Sequence, residues 1–386
     1  MNTDGLLKQL EIYTNIDSHS YCKEDVDRLS QVIEKECGAM GFKTLRYPQT
    51  AVGDFLEVTL GNGHKKILLL GHLDTVFPAG TAVERPFKQV GNRIYGPGIL
   101  DMKGGIATLL KAMQILTPDI HQEYRITAFL TSDEETGSRY SEEYIKDQAS
   151  SSVAVLSFEG AKPGTLTTER KGIVVFNMEI AGIAAHSGVN YRLGSSAIEE
   201  MAYKIHKLYA LRDNDREVTV NIGTMNGGIA SNIIAPCAKI TGEVRYFNPD
   251  DKQFIMDSLS NIAEEVNVPG TCTKRYVSSV RPPLAADEKC KRLFEIAREE
   301  AGMLGRQLSP RKTGGGGDAA FAAICGIPSL DGLGPEGENS HIESEFILVD
   351  SLFFKVELTV RLLLKIMQGA LSSLPIDEDA RLKMNC

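Results

Sequence analysis

Acidic side chains and a histidine follow three apolar segments of the chain, in each case at the point where the segment ends. KILLL (66–70) leads into GHLD (71–74), RITAFL (125–130) into TSDEE (131–135), and SVAVLSF (152–158) into Glu159. Short apolar runs are typical of strands covered on both faces, and open α/β sheets bind ligands at the carboxyl ends of their strands. Imidazole and carboxylate groups together suit zinc. The pattern predicts a metal site at one end of a buried sheet.

Two further segments carry residues of the same type. Asp101 lies in YGPGILDMKGG (95–105), whose glycines allow close approach of the backbone at the start of a helix. His341 lies in GENSHIESE (337–345), a polar loop. An acidic triplet such as 133–135 is more often a solvated loop at a helix N-terminus. Three coincidences at strand ends favour metal binding instead, and five converging groups would suit two ions.

Other chemistries have little support in the sequence. It contains no HExxH, HxH, GxSxG or GxxxxGK[ST] pattern. GLGPEG (332–337) formally fits GxGxxG, but it contains a proline and no helical pattern follows it directly. We interpret it as a loop.

Composition narrows the class of protein. A chain of 386 residues suggests two or three domains, and its net charge of −9 argues against nucleic acid as a partner. The apolar stretch 347–367 is interrupted by charges, which indicates a packing helix, and no segment predicts a membrane span or a signal peptide. The seven cysteines form no CxxC pair, so we expect reduced thiols in a cytoplasmic protein.

The middle of the chain has strands of a different kind, in which apolar and polar residues alternate. Alternation indicates a sheet with one face buried and one open. With the helical patterns between them, the strands give the order β-α-β-β-α-β of a ferredoxin-like domain. The four strand patterns are GIVVFNMEI (172–180), REVTVNIG (216–223), AKITGEVRYF (238–247) and CTKRYV (272–277), and the helical patterns cover 195–211 and 251–266.

The predicted architecture is therefore an α/β domain interrupted by a smaller α+β domain. The first contains a mixed, mostly parallel sheet with helices on both faces and comprises residues 1–170 and 282–386. The second is inserted at residues 171–281 and has an uncovered sheet face. Exposed strand edges invite pairing, so we expect the inserted domain to be a dimerisation domain and the protein to be a homodimer.

A series of motifs resembles the aminoacylase/glutamate carboxypeptidase family of two-zinc metallopeptidases, and is most similar to its glutamate carboxypeptidase branch. The motifs occur in the order expected for that family, from about residue 65 to residue 345. They are GHLDTV, GPGILDMKGG, TSDEETGS, LSFE, AAHSG, SNIIAP, EVRYF, KTGGGGDAA and SHIESE. The resemblance implies the zinc exopeptidase fold with an inserted lid domain.

The resemblance also implies roles for individual residues. Asp101 would bridge two zinc ions per subunit, for which cobalt or manganese could substitute, and the peptide bond between Asp101 and Met102 would be cis. Asp74 would orient His72. Glu134 would act as the general base that takes a proton from water, and the resulting hydroxide would bridge the ions. The other ligands implied are Glu135 and His341 for one ion, and His72 and Glu159 for the other.

Residues of the inserted domain are implied in catalysis and substrate binding. His186, reaching the active site of the partner subunit, would stabilise the oxyanion, although a histidine in a loop is ordinarily only a loop residue. Arg245, with Asn232 beside it, would pair with a substrate carboxylate, and a surface salt bridge is the alternative. In the glycine run, the N–H groups of Gly315 and Gly316 would approach the substrate.

Three functions are compatible with these residues. The first is hydrolysis of a peptide or amide bond next to a free carboxylate, with a small peptide or an N-acyl amino acid as substrate; carboxypeptidase and N-acyl-amino-acid amidohydrolase are both open. Glutamate-releasing members carry a basic residue after LSFE, for which Arg170 or Lys171 could substitute. The second is a metal-binding protein without activity, which would lack a ligand or the base. The third is a hydrolase that binds metal through cysteine, but Asp101 stands at that position. Asp318 is expected to cap the helix after the glycine run.

Overall fold

The computed structural model of the protein describes residues 3–371. The chain divides into two compact units. The first contains the chain up to Glu169, the segment Ala286–Thr313 and the chain from Gly317 onward; the second contains Arg170–Ala285 and Gly314–Gly316. In sequence, the second unit is thus inserted between parts of the first, and the predicted segment 171–281 lies within it.

The helices and strands are numbered in chain order. The helices are α1 (Thr3–Thr14), α2 (Lys23–Ala39), α3 (Thr81–Glu84), α4 (Gly104–Leu116), α5 (Glu142–Ser150), α6 (Ala197–Tyr209), α7 (Asp251–Glu264), α8 (Glu288–Met303), α9 (Ala319–Ala323) and α10 (Val349–Met367). The strands are β1 (Lys43–Tyr47), β2 (Phe55–Gly61), β3 (Lys65–His72), β4 (Lys88–Val90), β5 (Arg93–Tyr95), β6 (Tyr124–Thr131), β7 (Ser152–Ser157), β8 (Thr165–Arg170), β9 (Gly172–Ala181), β10 (Thr219–Gly227), β11 (Cys237–Tyr246), β12 (Cys272–Arg281), β13 (Ser309–Thr313), β14 (Ser329–Leu330), β15 (Gly337–Glu338) and β16 (Phe346–Leu348).

A six-stranded sheet forms the centre of the first unit. Its order is β1-β2-β6-β3-β7-β14, and the last four strands are parallel while β1 and β2 are antiparallel. The three apolar runs are β3, β6 and β7, as predicted. Because successive side chains of a strand point to opposite faces, Ile67 and Leu69 pack into one core cluster and Leu68 and Leu70 into another. The first cluster includes side chains of α1, α2, α4, α8 and α10, and the second includes side chains of α5 and α9. The predicted α/β class with helices on both faces is confirmed.

A small antiparallel sheet aligns two segments that are far apart in sequence. Its order is β15-β16-β5-β4, and Phe346 of β16 pairs with Tyr95 of β5. The chain leaves β5 toward Asp101, and it enters β16 from His341. This ladder therefore sets the register between the two segments.

The second unit contains a four-stranded antiparallel sheet of order β10-β11-β9-β12, on which α6 and α7 pack. In β9, Val174, Phe176 and Met178 are buried in the core of this unit and alternate with partly exposed residues. Buried Lys204 of α6 donates to the carbonyls of Ile262 and Glu265 at 2.7 Å each, and so binds the end of α7.

Among the residues that the structure describes, no helix is both long and apolar enough to cross a membrane. The six cysteines in this part of the chain are not in disulfides.

Candidate metal centre

His72, Asp101 and Glu159 form a buried group at the carboxyl end of the sheet, here called the inner triad. Leu70 pairs with Ser157 in the parallel ladder, so His72 and Glu159, each two residues further on, lie side by side. Nε2 of His72 lies 3.1 Å from Oδ1 of Asp101 and 3.7 Å from Oε1 of Glu159. The His72 side chain is only 1% exposed. The inner triad is thus closed to bulk water on the His72 side.

Asp101 enters this group from the turn that precedes α4. The backbone angles of Asp101 are not helical, and the peptide bond between Asp101 and Met102 is cis, as predicted. A Cβ atom at Gly105 would lie 1.9 Å from the carbonyl oxygen of Phe158, next to Glu159. Only glycine therefore lets the first turn of α4 pack against the end of β7, which brings Asp101 to Glu159.

Asp101, Glu135 and His341 form a second group, the outer triad. Nε2 of His341 lies 3.0 Å from Oδ2 of Asp101 and 3.2 Å from Oε2 of Glu135. The two oxygens of Asp101 thus face two different histidines, which is the arrangement that a carboxylate shared by two cations requires. The His341 side chain is 48% exposed.

The mutual contacts of these groups shift their pKa values. Hydrogen bonds to Asp101 and Glu135 raise the pKa of His341 to about 11. Burial raises the pKa of Glu135 to about 7, against its hydrogen bond to His341. Burial also acts to raise the pKa of Asp101, but hydrogen bonds to His341 and His72 outweigh it and hold that pKa below its ordinary value.

The two triads fit divalent metal ions. Within residues 3–371, the ligand atoms of each triad lie within 4.8 Å of one another. Oε1 of Glu135 is buried and has no hydrogen-bond partner in that part of the chain. A buried carboxylate oxygen without a partner is costly, and a cation would satisfy it. The mixture of imidazole nitrogen and carboxylate oxygen suits zinc and similar ions better than calcium or magnesium.

The three consecutive acids have different environments. Asp133 is buried and accepts hydrogen bonds from the backbone N–H groups of Tyr140 (2.7 Å) and Ser141 (3.4 Å), so it anchors the loop before α5. Burial raises its pKa. Glu135 belongs to the outer triad, whereas Glu134 is in neither triad. The three acids therefore occupy unequal positions, and the roles inferred for Glu134 and Glu135 stay predictions.

Asp74 connects the acid triplet to the inner triad. Its fully buried carboxylate accepts the backbone N–H groups of Glu134 and Glu135, each at 3.2 Å, and the hydroxyl of Ser20 at 2.8 Å. Nδ1 of His72 lies 2.9 Å from the backbone carbonyl oxygen of Asp74 and 3.5 Å from its carboxylate. The backbone carbonyl of Asp74 is thus the nearer partner of the imidazole, and its carboxylate holds the backbone of both glutamates. That Asp74 orients His72 stays a prediction.

In the second unit, Arg245 and the glycine run are brought together. Arg245 forms a bidentate pair with Glu243 on its own strand, with N···O distances of 2.7 and 3.1 Å. It also donates to the carbonyl of Gly314 at 2.8 Å, and Arg170 donates to the carbonyl of Gly316 at 2.7 Å. The contacts of this run with arginine therefore use the carbonyl groups of Gly314 and Gly316. The N–H contacts to a substrate expected of Gly315 and Gly316 stay a prediction.

His186 and Asn232 lie together in two paired loops of the second unit. Ser187 donates its N–H to the carbonyl of Asn232 at 3.0 Å. The N–H groups of Gly188 and Val189 lie 3.1 and 3.2 Å from Nδ1 of His186. Since Nδ1 accepts, the proton of the neutral ring is on Nε2, which leaves that atom as an exposed donor.

Sequence reasoning missed two residues of the centre and misplaced a third. Glu345, four residues after His341, and Ser20 were not singled out. Glu345 is the last residue of the SHIESE motif, but no role was inferred for it, and Ser20 lies in none of the quoted motifs. Asp318 was expected to cap α9, but its side chain makes no bond to that helix terminus. It accepts instead from the hydroxyls of Thr131 (3.2 Å) and Ser138 (2.5 Å), because it is buried beside the end of β6.

The fold and the two triads together define a metallohydrolase. The model of Peptidase family M20/M25/M40 matches residues 68–365, well over half of the chain. The chain belongs to this peptidase family, and it is a metal-dependent hydrolase that acts on peptide or related amide bonds.

Individual proteins are similar over most of their length. Carboxypeptidase G2 of Pseudomonas sp. (strain RS-16) is 31% identical over 376 residues, covering 95% of this chain and 90% of that protein. Acetylornithine deacetylase of Erwinia tasmaniensis is 30% identical over 320 residues, covering 76% and 78%. The crystal structure of aminopeptidase PepT from Bacillus cereus has a TM-score of 0.77 at 24% identity, covering 95% of this chain and 99% of that one. This last similarity concerns the fold.

Proposed function

We propose that the protein is a cytoplasmic metallo-carboxypeptidase of the glutamate carboxypeptidase type. It would hydrolyse a peptide or amide bond next to a free carboxylate, using two zinc ions per chain. The observation that carries the proposal is the pair of triads that share Asp101, with Glu134 held beside them but in neither. The identity of 31% to carboxypeptidase G2 supports the choice of reaction.

The residues of the chain have separate tasks in this reaction. The inner and outer triads would hold the ions, which would supply Lewis acidity toward the scissile carbonyl and lower the pKa of the attacking water. The Glu134 carboxylate takes a proton from the attacking water and returns it to the nitrogen of the departing amine. Asp74 fixes the backbone of Glu134, so that the carboxylate meets the water in one place.

His186 is the donor that we assign to the developing oxyanion. Its Nε2–H is exposed and its ring is held by two backbone N–H groups. Loss of one such donor typically lowers kcat by about 100- to 1,000-fold. We propose that His186 acts in the partner subunit of a homodimer.

An exposed apolar surface around His186 supports the dimer. Large apolar side chains in the two paired loops are 48% to 81% exposed: Ile183, Val189, Tyr191, Leu193 and Ile229. Apolar groups clustered in this way commonly mark a protein interface. A second copy of the chain is the partner that would also bring His186 to an active site.

Recognition of the substrate carboxylate is assigned to Arg245. Its side chain is 31% exposed and its guanidinium is bound by Glu243, so a substrate carboxylate would have to displace that glutamate or share the guanidinium with it. An N-acyl amino acid carries the same carboxylate, and the identity of 30% to acetylornithine deacetylase favours deacylation as the second candidate.

A panel of C-terminal dipeptides and N-acyl amino acids, assayed with zinc-loaded protein of measured metal content, tests the reaction. Glu134→Gln should keep about two zinc ions and lose about 100- to 10,000-fold in kcat, since general base catalysis contributes that much. Glu143→Gln, the same change on the surface of α5, is the matched control. Full activity of Glu134→Gln would overturn the mechanism, and no cleavage of any panel member by the wild type would overturn the reaction.

The dimer is tested by sedimentation and by mixing inactive variants. His186→Ala and Glu134→Gln should each be inactive, and a mixture allowed to exchange subunits should regain activity, because one site of each heterodimer is then complete. A fully active monomer would remove His186 from the mechanism.

A further inference from the structure

Glu345 is a buried acid that the proposed reaction does not use. It is 1% exposed, and its carboxylate accepts three backbone N–H groups. Oε1 lies 2.7 Å from N of Leu100 and 3.0 Å from N of Asp101, and Oε2 lies 3.1 Å from N of Gly98. These amides belong to the turn that presents Asp101, and the angles of Asp101 itself exclude ordinary helical bonding there. Glu345 therefore satisfies donors that the local backbone leaves without acceptors.

The same short segment contacts Asp101 at two places. The side chain of His341 reaches Oδ2 of Asp101, and Glu345 holds the N–H of Asp101. The pairing of Phe346 with Tyr95 in the small sheet fixes this segment against the chain that leads to Asp101. The backbone of His341 has a φ of 69°, and the N–H of Glu345 binds the carbonyl of Ile342, so the segment turns tightly between the two contacts.

We propose that Glu345 is a positioning residue that sets Asp101 for both ions. The inference rests on the two-ion part of the proposed function. Since Asp101 is common to the two triads, a shift of its backbone changes the inner and the outer position together. A change at His341 or Glu135, in contrast, affects only the outer position. Loss of Glu345 should therefore weaken the binding of both ions together, and this joint weakening distinguishes it from changes at the outer ligands.

The experiment is a zinc titration of metal-free full-length protein against a competing chelator dye, with wild type, Glu345→Ala and Glu345→Gln. Glutamine keeps one oxygen for Leu100 and Asp101 but turns an NH₂ group toward the N–H of Gly98. Glu345→Ala should lose about 10- to 100-fold in affinity at both binding steps, and Glu345→Gln should lie between it and the wild type. Glu343→Ala removes an exposed acid from the same segment and should leave both steps unchanged.

Amide hydrogen exchange of the metal-free proteins provides a second measurement that needs neither activity nor metal. The amide of Gly98 should exchange faster in Glu345→Gln than in the wild type, because it alone loses its acceptor. In Glu345→Ala, the amides of Gly98, Leu100 and Asp101 should all exchange faster. If Glu345→Ala does not fold, the zinc titration and the hydrogen exchange of Glu345→Gln together test the inference. Unchanged affinities, or weakening of the outer step alone, would overturn the inference. Absence of cleavage by a wild type that binds two zinc ions would affect only the proposed reaction.

Discussion

Replacement of Asp74 by asparagine tests how the acid triplet is held. The carboxylate is fully buried and accepts hydrogen bonds from the hydroxyl of Ser20 and from the N–H groups of Glu134 and Glu135; it also lies 3.5 Å from Nδ1 of His72. Asparagine has the same shape but places an NH₂ group where one carboxylate oxygen accepted. The N–H group of either Glu134 or Glu135 then faces the NH₂ group of the asparagine and has no acceptor.

The expected magnitudes follow from these contacts. A buried donor left without an acceptor costs about 1–3 kcal/mol, so the free energy of unfolding of Asp74→Asn should fall by about that amount. A displacement of the base by about 1 Å can lower the rate by about 100-fold. The loss should appear in kcat, because Asp74 does not bind substrate. Zinc affinity of the outer triad should fall as well, since Glu135 shifts with its own amide.

The assay is kcat and KM on the best panel substrate, with urea unfolding and zinc titration of the same samples. Ser20→Ala removes one of the donors to the carboxylate and should move kcat in the same direction by less. Asp147→Asn, on an exposed face of α5, is the matched control. A folded Asp74→Asn variant whose kcat lies within about threefold of the wild type would refute the reasoning.

Four other predictions concern stability. Gly105→Ala should lower the free energy of unfolding, measured in urea, by about 1–3 kcal/mol, because the new Cβ meets a backbone carbonyl. The control Gly38→Ala in α2, where a Cβ has nothing within 4 Å, should not lower it. Equal stabilities of the two variants would contradict the packing of α4 on β7. Lys204→Met should lower the free energy of unfolding by about 3–5 kcal/mol, since Glu200 keeps the N–H groups of Asn267 and Val268 but is then buried without a countercharge. A small loss would show that the pair is not closed to water. Burial opposes ionisation of Glu200, but hydrogen bonds from Lys204 and from the N–H of Val268 hold the pKa of Glu200 below its ordinary value. The ionised Glu200 therefore stabilises the fold above its pKa in the unfolded chain, and this stabilisation is lost as the pH falls through its pKa in the folded protein. The acid unfolding of Glu200→Gln should accordingly depend less on pH than that of the wild type. Removal of metal by a chelator should lower Tm. Added zinc at 1,000 times Kd should raise the free energy of unfolding by about 4 kcal/mol and so restore Tm; an unchanged Tm would argue against binding to the folded state.

The main sheet and the second unit could be predicted because their strands carry strong periodic patterns. KILLL and RITAFL are apolar throughout because the strands they form are covered on both faces. GIVVFNMEI alternates because only one face of its sheet is buried. The sheet sets the positions of the residues at the ends of its strands, so the convergence of His72 and Glu159 could be expected. The pairing of Arg245 with Glu243 could also be predicted from the sequence, since residues two apart on a strand share a face.

The remainder depends on contacts that local pattern does not encode. Glu345 binds the N–H of Asp101 across 244 positions, and in sequence it is one of several acids in a polar loop. The strands of the small sheet that align these segments have two or three residues, too few to show a period. Asp318 precedes a helix and so resembles a cap, but its partners are Thr131 and Ser138, which no nearby residue predicts.

The unequal exposure of the two histidines has a consequence for the lifetime of the loaded centre. Ligand exchange at a metal needs a path for an incoming group, and this path exists at His341, 48% exposed, but not at His72, 1% exposed. Release of zinc to a chelator should therefore be biphasic, with the outer ion leaving first. Between the two phases, the protein would hold a single ion, and Asp101 would have one oxygen left to bind the next metal that arrives.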